Sequence, residues 1–349
     1  MYLCELLPRL GTISIRIALQ ESDLEPQISN IAFSHNSLQV ITLRNKYVVK
    51  LPVEKAEKLQ GAKITQLLAD GKTLSLRLTL SDSEKLDSPF TSLAQSKAQR
   101  WSVSDLLKTP KDNNNVNVFK FICANCGTQI LDSMDTKFAD MPSEYWHELM
   151  DFWHCHKPHQ EHHHNHQKNY ESIVPKPGNV YIGAHYLFVK RKSSSCYGCK
   201  RVLGEAASND TAKLYKWNLK LQYNNEVESY PPYAYAYYAI LDKINSGALR
   251  KLQVKNSKGT LSLWILSVGL SVSYDNHILD RALKILYTEE SNENLEVLEL
   301  PTLVYESLLS VLQESTSLLP ESEQNAQMSK EDKVHYKAGF LAPEMGDAF

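Results

Sequence analysis

Two Cys-x-x-Cys pairs set the tightest limit on how this chain can fold. Cys123-Ala124-Asn125-Cys126-Gly127 and Cys196-Tyr197-Gly198-Cys199-Lys200 have 69 residues between their facing cysteines. One such turn presents two thiolates, and a tetrahedral Zn²⁺ takes about four ligands. Small residues at Ala124, Gly127 and Gly198 let each turn fold back toward a metal. Each pair follows a strand-like run, Val118-Phe119-Lys120-Phe121-Ile122 for the first and Tyr186-Leu187-Phe188-Val189-Lys190 for the second. The pattern predicts one closed site made by Cys123, Cys126, Cys196 and Cys199, holding a single structural Zn²⁺ with no position for water. An ion that staples so long a loop should unfold its domain when removed. A redox dithiol is the alternative for a Cys-x-x-Cys pair, but no thioredoxin-like βαβ pattern surrounds either one.

Composition excludes several other classes. Six cysteines in 349 residues are too few for a disulfide scaffold. Hydrophobic residues at 42% and charged residues at 22% exclude whole-chain disorder. A net charge of −2 argues against a protein that grips a phosphate backbone by bulk electrostatics, so no direct nucleic-acid binding is expected. The N-terminus has no basic segment followed by an apolar run, and the most apolar stretch, Leu261 to Val272, is too short to span a bilayer. A soluble intracellular protein without a membrane partner is expected. No phosphate-cradling glycine loop, G-x-S-x-G elbow or H-E-x-x-H is present, so nothing specifies a self-contained small-molecule enzyme.

Hydrophobic periodicity predicts an α+β fold that is predominantly β. Residues 1–95 read as an N-terminal antiparallel β domain, because Thr12 to Ile17, Leu38 to Leu43 and Leu74 to Leu80 alternate with period two. Residues 96–117 read as a linker ending in Thr109-Pro110-Lys111-Asp112-Asn113-Asn114-Asn115. Residues 118–223 form the zinc-binding β domain, and 224–349 a C-terminal α+β domain. In the last, Tyr233 to Lys243 reads as a helix, Leu261 to Leu266 as a strand, and His277 to Tyr287 and Thr302 to Leu312 as amphipathic helices.

Between the knuckles, Asp140-Met141-Pro142-Ser143-Glu144 starts a predicted helix. Trp146, Leu149, Met150 and Trp153 recur on one face, and His154-Cys155-His156-Lys157 ends it before Pro158. Cys155 has no Cys-x-x-Cys partner. A helix C-terminus is electrostatically poor for a thiolate, but an arriving metal would deprotonate the sulfur outright. The tract His159, His162, His163, His164 and His166 reads as a mobile polar loop with adventitious metal affinity.

Two resemblances carry the reading further. Gly183-Ala184-His185-Tyr186-Leu187-Phe188 before the second knuckle, and Leu203-Gly204-Glu205 after it, resemble the β-tent zinc domains of the Yippee-like and cereblon C-terminal group, which implies two small sheets pinned by zinc at their apex. Met141-Pro142-Ser143-Glu144-Tyr145-Trp146 with Trp153-His154-Cys155-His156 resembles the L-P-S-E-x-W…W-x-C-H block of the HECT-like E2-binding protein family, also named E3 ubiquitin-protein ligases. Met141 stands where that pattern has leucine. The resemblance implies a role in the ubiquitin conjugation pathway, with a ubiquitin-conjugating enzyme (E2) as partner. It also implies association with the pre-mRNA 3′-end cleavage and polyadenylation machinery, holding its metallo-β-lactamase-type endonuclease inactive, and a location in nucleus and cytoplasm. Carried over, Cys155 would ligate the nuclease zinc, with Trp146, Trp153, His154 and His156 supporting the segment at the partner. The alternative is an E3 ligase that accepts ubiquitin from an E2. A HECT ligase needs an acceptor cysteine in its C-terminal lobe, and no cysteine follows Cys199, so Cys155 is the carrier if thioester transfer occurs.

Overall fold

The structure, a computed structural model, describes residues 1–7, 10–23, 27–34, 36–53, 63–70, 72–80, 100–141, 174–275, 277–291, 294–326 and 334–346. The fold is α+β and mostly β. It comprises two compact units, Met1–Ser96 together with Pro232–Phe349, and Lys97–Pro231.

The first unit is built on a ten-stranded sheet. At its centre, strands Tyr2–Leu7, Thr12–Ala18 and Thr73–Thr79 pair antiparallel, and the register lines up three rows: Tyr2–Ile17–Leu74, Cys4–Ile15–Leu76 and Leu6–Ile13–Leu78. Side chains alternate between faces of a strand, so these rows share one face. All nine are buried in one cluster, joined by Leu38, Val40 and Val49 from a separate three-stranded sheet. Cys4 is fully buried there, and burial pushes its thiol far above the ordinary thiol range. It is a core residue.

The first strand also pairs with the long strand Thr260–Tyr274, from Leu3↔Tyr274 to Leu6↔Ser271. One sheet therefore runs through segments 1–95 and 224–349, which the sequence reading separates. A period-two pattern fixes which face is buried and leaves the neighbouring strand open. The helices Pro232–Gly247 and Thr302–Ser317 form where periodicity predicts them. The stretch His277–Thr288 does not form a helix. It is a strand antiparallel to Thr260–Tyr274. The misleading signal has a local cause. Leu279 faces Val272 and Ala282 faces Leu270, so two residues, Asp280 and Arg281, bulge opposite one. Arg281 sits at φ +55°, and the Tyr237 hydroxyl donates to its carbonyl at 2.7 Å. The bulge turns an apolar spacing of two into three, which imitates a helix.

The second unit holds two small sheets. One runs, from edge to edge, Lys137–Asp140, Asn179–Ile182, Tyr186–Lys190, Thr211–Tyr215, Gly204–Ser208; the other Glu226–Ser229, Leu219–Tyr223, Lys120–Cys123, Gln129–Asp132. The stretch that the sequence marks as linker packs into this unit. Trp101 is buried, with its ring centroid 5.4 Å from Phe121 and 5.6 Å from Tyr230, and Ser102 caps the short helix Val103–Leu106. Lys216, fully buried, donates from Nζ to the Arg100 carbonyl at 2.8 Å. Burial lowers its ammonium to about 7, against the opposing pull of Asp140 and Asp105.

That lysine makes stability depend on pH. Its folded value lies below the unfolded value of about 10.4, so between those limits the unfolded chain binds more protons. Stability should rise with pH through this window, by at most about 1.4 kcal/mol per unit, and the gain should vanish as pH falls through the folded value. Lys216→Met removes the titration. Denaturant unfolding of both proteins at about pH 7 and about pH 9 should show the wild type gaining on the variant; parallel behaviour would mean that Lys216 stays protonated when folded.

Candidate metal centre

Each small sheet contributes one knuckle. The first links strands Lys120–Cys123 and Gln129–Asp132, and the second lies between strands Tyr186–Lys190 and Gly204–Ser208. Their backbones match position by position. The Cys123 N–H donates to Thr128 O at 2.8 Å and the Gly127 N–H to Cys123 O at 3.0 Å. The Cys196 N–H donates to Arg201 O at 2.8 Å and the Lys200 N–H to Cys196 O at 3.1 Å. The residue after the second cysteine is left-handed in both, Gly127 at φ +73° and Lys200 at φ +63°. Only the first knuckle uses the residue that reaches this region without strain.

The two turns bring four sulfurs together. Cys126 Sγ lies 3.5 Å from Cys196 Sγ, Cys123 Sγ lies 3.8 Å from Cys199 Sγ, and all four are within 4.8 Å of one another. A tetrahedron with metal–sulfur bonds of about 2.3 Å has edges of about 3.8 Å, so the donor set fits a four-thiolate ion. Cys123 and Cys196 are buried, Cys199 is half-buried and Cys126 is exposed.

Hydrogen-bond donors surround the sulfurs. The Cys126 and Asn125 N–H groups point at Cys123, and the Cys199 and Gly198 N–H groups at Cys196. The Thr128 hydroxyl lies 3.1 Å from Cys126 Sγ. These donors favour thiolate. Cys126 is drawn down to about 6, chiefly by the Thr128 hydroxyl and then by the Thr128 N–H. Burial pushes Cys196 up, yet the N–H groups of Cys199 and Gly198 outweigh it and hold that thiol below its ordinary value. Burial prevails at Cys123 and pushes it to about 11. A divalent ion overrides such differences, because coordination deprotonates a thiol outright.

Three further residues position the site: Gly198 and Gly204 stand in the motifs, but their contacts across the site are not visible in them, and Asn218 belongs to no motif. Gly198 sits against the first knuckle: a Cβ there would collide with the Thr128 hydroxyl and lie 3.4 Å from Cys126 Sγ. Asn218 bridges the knuckles, accepting from the Ala124 N–H at 3.0 Å through its carbonyl and donating from Nδ2 to Leu203 O at 3.1 Å. Gly204 lets the second knuckle's exit strand press on its neighbour, since a Cβ would lie 2.9 Å from Leu214 Cα and overlap the Lys213 carbonyl. His185, in the block that resembles the β-tent zinc domains, is not a member of the sulfur cluster. It lies 6.1 Å from Trp217 in a stacked arrangement, and burial, helped by Lys216 and Lys213, lowers it to about 3.

The predicted partner-binding residues Trp146, Trp153, His154, Cys155 and His156 lie outside the described residues, as does the tract His159 to His166. The described chain before them ends at Met141, whose N–H donates to Ile182 O at 2.8 Å and whose sulfur accepts from the Tyr186 hydroxyl at 3.4 Å.

The asymmetry between the knuckles gives a paired expectation. Lys200→Gly should stabilise the unit by about 0.5–1 kcal/mol, since it relieves a left-handed residue with a Cβ. Gly198→Ala should cost about 1–3 kcal/mol by forcing the knuckles apart, and should release metal to a chelator sooner. Denaturant unfolding and chelator competition on the two variants check both signs; a tolerated Gly198→Ala would refute the close approach.

A family model described as HECT-like ubiquitin-conjugating enzyme (E2)-binding matches residues 5–331. An uncharacterized protein of Saccharomyces cerevisiae is 28% identical over 347 residues, covering 92% of this chain and 95% of the yeast protein. No solved structure matches. The match takes in both knuckles and nearly all of the described fold, and the description it carries supports an E2-binding role. The chain belongs to the HECT-like E2-binding family.

Proposed function

We propose that this protein is an E2-binding adaptor of the ubiquitin pathway whose second unit is held in shape by one structural Zn²⁺. The family match over residues 5–331 carries the E2 role. The zinc reading rests on four thiols at tetrahedral spacing, with backbone N–H groups aimed at two of them. Thiolate-only tetrahedral sites suit zinc, and a site closed by four protein ligands leaves no position for substrate. The ion supplies cohesion: it holds two sheets together, and the chain's own residues do the binding.

The finer reading names a second partner. The Trp146…Cys155 block resembles the segment by which nuclease-blocking factors reach a metal, and Cys155 is the one cysteine left after the core takes Cys4 and the knuckles take four. In this reading the protein associates with the pre-mRNA 3′-end cleavage and polyadenylation machinery in nucleus and cytoplasm. It offers Cys155 to the zinc of the metallo-β-lactamase-type endonuclease, with Trp146, Trp153, His154 and His156 supporting the approach. The competing reading is an E3 ligase in which Cys155 carries ubiquitin as a thioester.

Cys155→Ser separates these readings. Under the adaptor reading the purified variant keeps one zinc per chain and its E2 affinity, and loses binding to the endonuclease. Under the ligase reading a thiol-reducible ubiquitin adduct, formed with charged E2, disappears in the variant. Retention of nuclease binding together with no adduct in the wild type would remove both roles from Cys155. A preparation without zinc, whose four knuckle thiols react freely while folded, would remove the metal reading.

A further inference from the structure

The family description says that an E2 is bound and leaves open where. A folded E2 needs a rigid surface rich in side chains. Two hydrogen-bonded turns and a four-sulfur cluster fix the apex of the second unit and the exposed side chains it carries.

Its charge is one-sided. Residues 120–129 and 190–203 contain Lys120, Lys190, Arg191, Lys192, Lys200 and Arg201 and no acidic residue. Lys120 pairs with Asp132 at 3.4 Å and Lys190 with Asp210 at 2.8 Å. Arg191, Lys192, Lys200 and Arg201 have no carboxylate partner among the described residues. A filled four-thiolate centre carries two negative charges, four from sulfur against two from the ion. Arg191 is engaged by Ser195 O and the Tyr197 ring, and Arg201 donates to Asn125 Oδ1 at 3.3 Å, but Lys192, Lys200 and Arg201 are exposed and exceed that need by one. These exposed cations can receive acidic groups of a partner.

Apolar anchors lie within the same loop. Tyr197 and Val202 are each 60% exposed. The Arg191 guanidinium sits 4.0 Å from the Tyr197 ring centroid and donates to Ser195 O at 2.5 Å, which holds the ring on the loop. A tyrosine packed on an arginine, beside unpaired cations, has the composition of a binding hot spot. The exposed apolar residues of the edge strand Lys63–Asp70, by contrast, offer mainly an open backbone edge, which suits an extended peptide better than a folded enzyme.

We propose that the metal apex is the E2-docking surface: Tyr197 and Val202 enter an apolar recess on the E2, and Lys192, Lys200 and Arg201 meet acidic residues around it. The inference rests on the E2-binding reading. Docking there would cover the exposed Cys126.

The test immobilises a panel of purified E2 enzymes and passes the zinc-loaded full chain over them. The wild type should bind at least one E2, with an association rate that falls as salt rises. Lys192→Glu combined with Lys200→Glu and Arg201→Glu should weaken that binding about tenfold or more and flatten the salt dependence. Tyr197→Ala should weaken it about fivefold or more through faster dissociation. Zinc content and unfolding midpoint are measured on each variant; if charge reversal impairs folding, the glutamine versions of the three cations are read with Tyr197→Ala. Wild-type binding with all variants within about twofold overturns the apex and leaves E2 binding standing. A wild type that binds no E2 overturns both. Capture of single-stranded RNA that the apex variants lose while their E2 affinity is unchanged makes the patch a nucleic-acid surface and overturns the proposal.

Discussion

The second unit depends on the meeting of two turns around four sulfurs. The sheets behind those turns have four and five strands, and the outer strands of each have no further strand partner among the described residues. Small sheets gain independent stability only when a face packs against something else. Here each sheet delivers a buried cysteine from the end or exit of a strand, Cys123 and Cys196, and a more exposed one from the turn, Cys126 and Cys199. A tetrahedral ion cannot be satisfied by one turn alone. An ion filling the cluster would make its binding and the association of the sheets one event, with the free energy of coordination becoming folding free energy.

This coupling explains which residues were readable in advance. The four clustered cysteines are legible because a Cys-x-x-Cys turn is a local object, complete within five residues. Gly198 is readable as a turn residue, but its closer constraint, the Thr128 hydroxyl and Cys126 sulfur against its Cα, comes from a turn 70 positions earlier, counting Thr128 to Gly198. Asn218 has no local signature at all, because its two hydrogen bonds reach the first knuckle and the second knuckle's exit. Geometry between distant segments is what one sequence read without its fold does not display.

The first unit teaches the same lesson at the scale of a sheet. Alternation placed the buried face of Thr12–Ala18 and Thr73–Thr79 correctly, because the period of a strand is set within the strand. It could not say that Tyr2–Leu7 would lie between Thr12–Ala18 and a strand some 260 residues away. The stretch His277–Thr288 was misread because its bulge at Asp280 and Arg281 changes the apolar spacing, and the hydroxyl that supports the bulge, on Tyr237, sits in a helix 44 residues earlier. Tertiary support for a left-handed residue overrides local periodicity.

The distribution of sulfur then bears on what kind of ubiquitin-pathway protein this is. Acceptance of ubiquitin as a thioester requires a thiol that is reachable and able to ionise. Cys4 is fully buried and its thiolate strongly disfavoured, and Pro232–Phe349 contains no cysteine. The first unit therefore has no candidate acceptor. In the second unit four thiols converge within one ligand set, where a bound ion would hold them as thiolates shared with the metal. The E2-binding role of the family can therefore be served by this fold through surface recognition alone. Any covalent step, or any reach into another protein's metal, would fall to Cys155, the one cysteine outside the core and the knuckles.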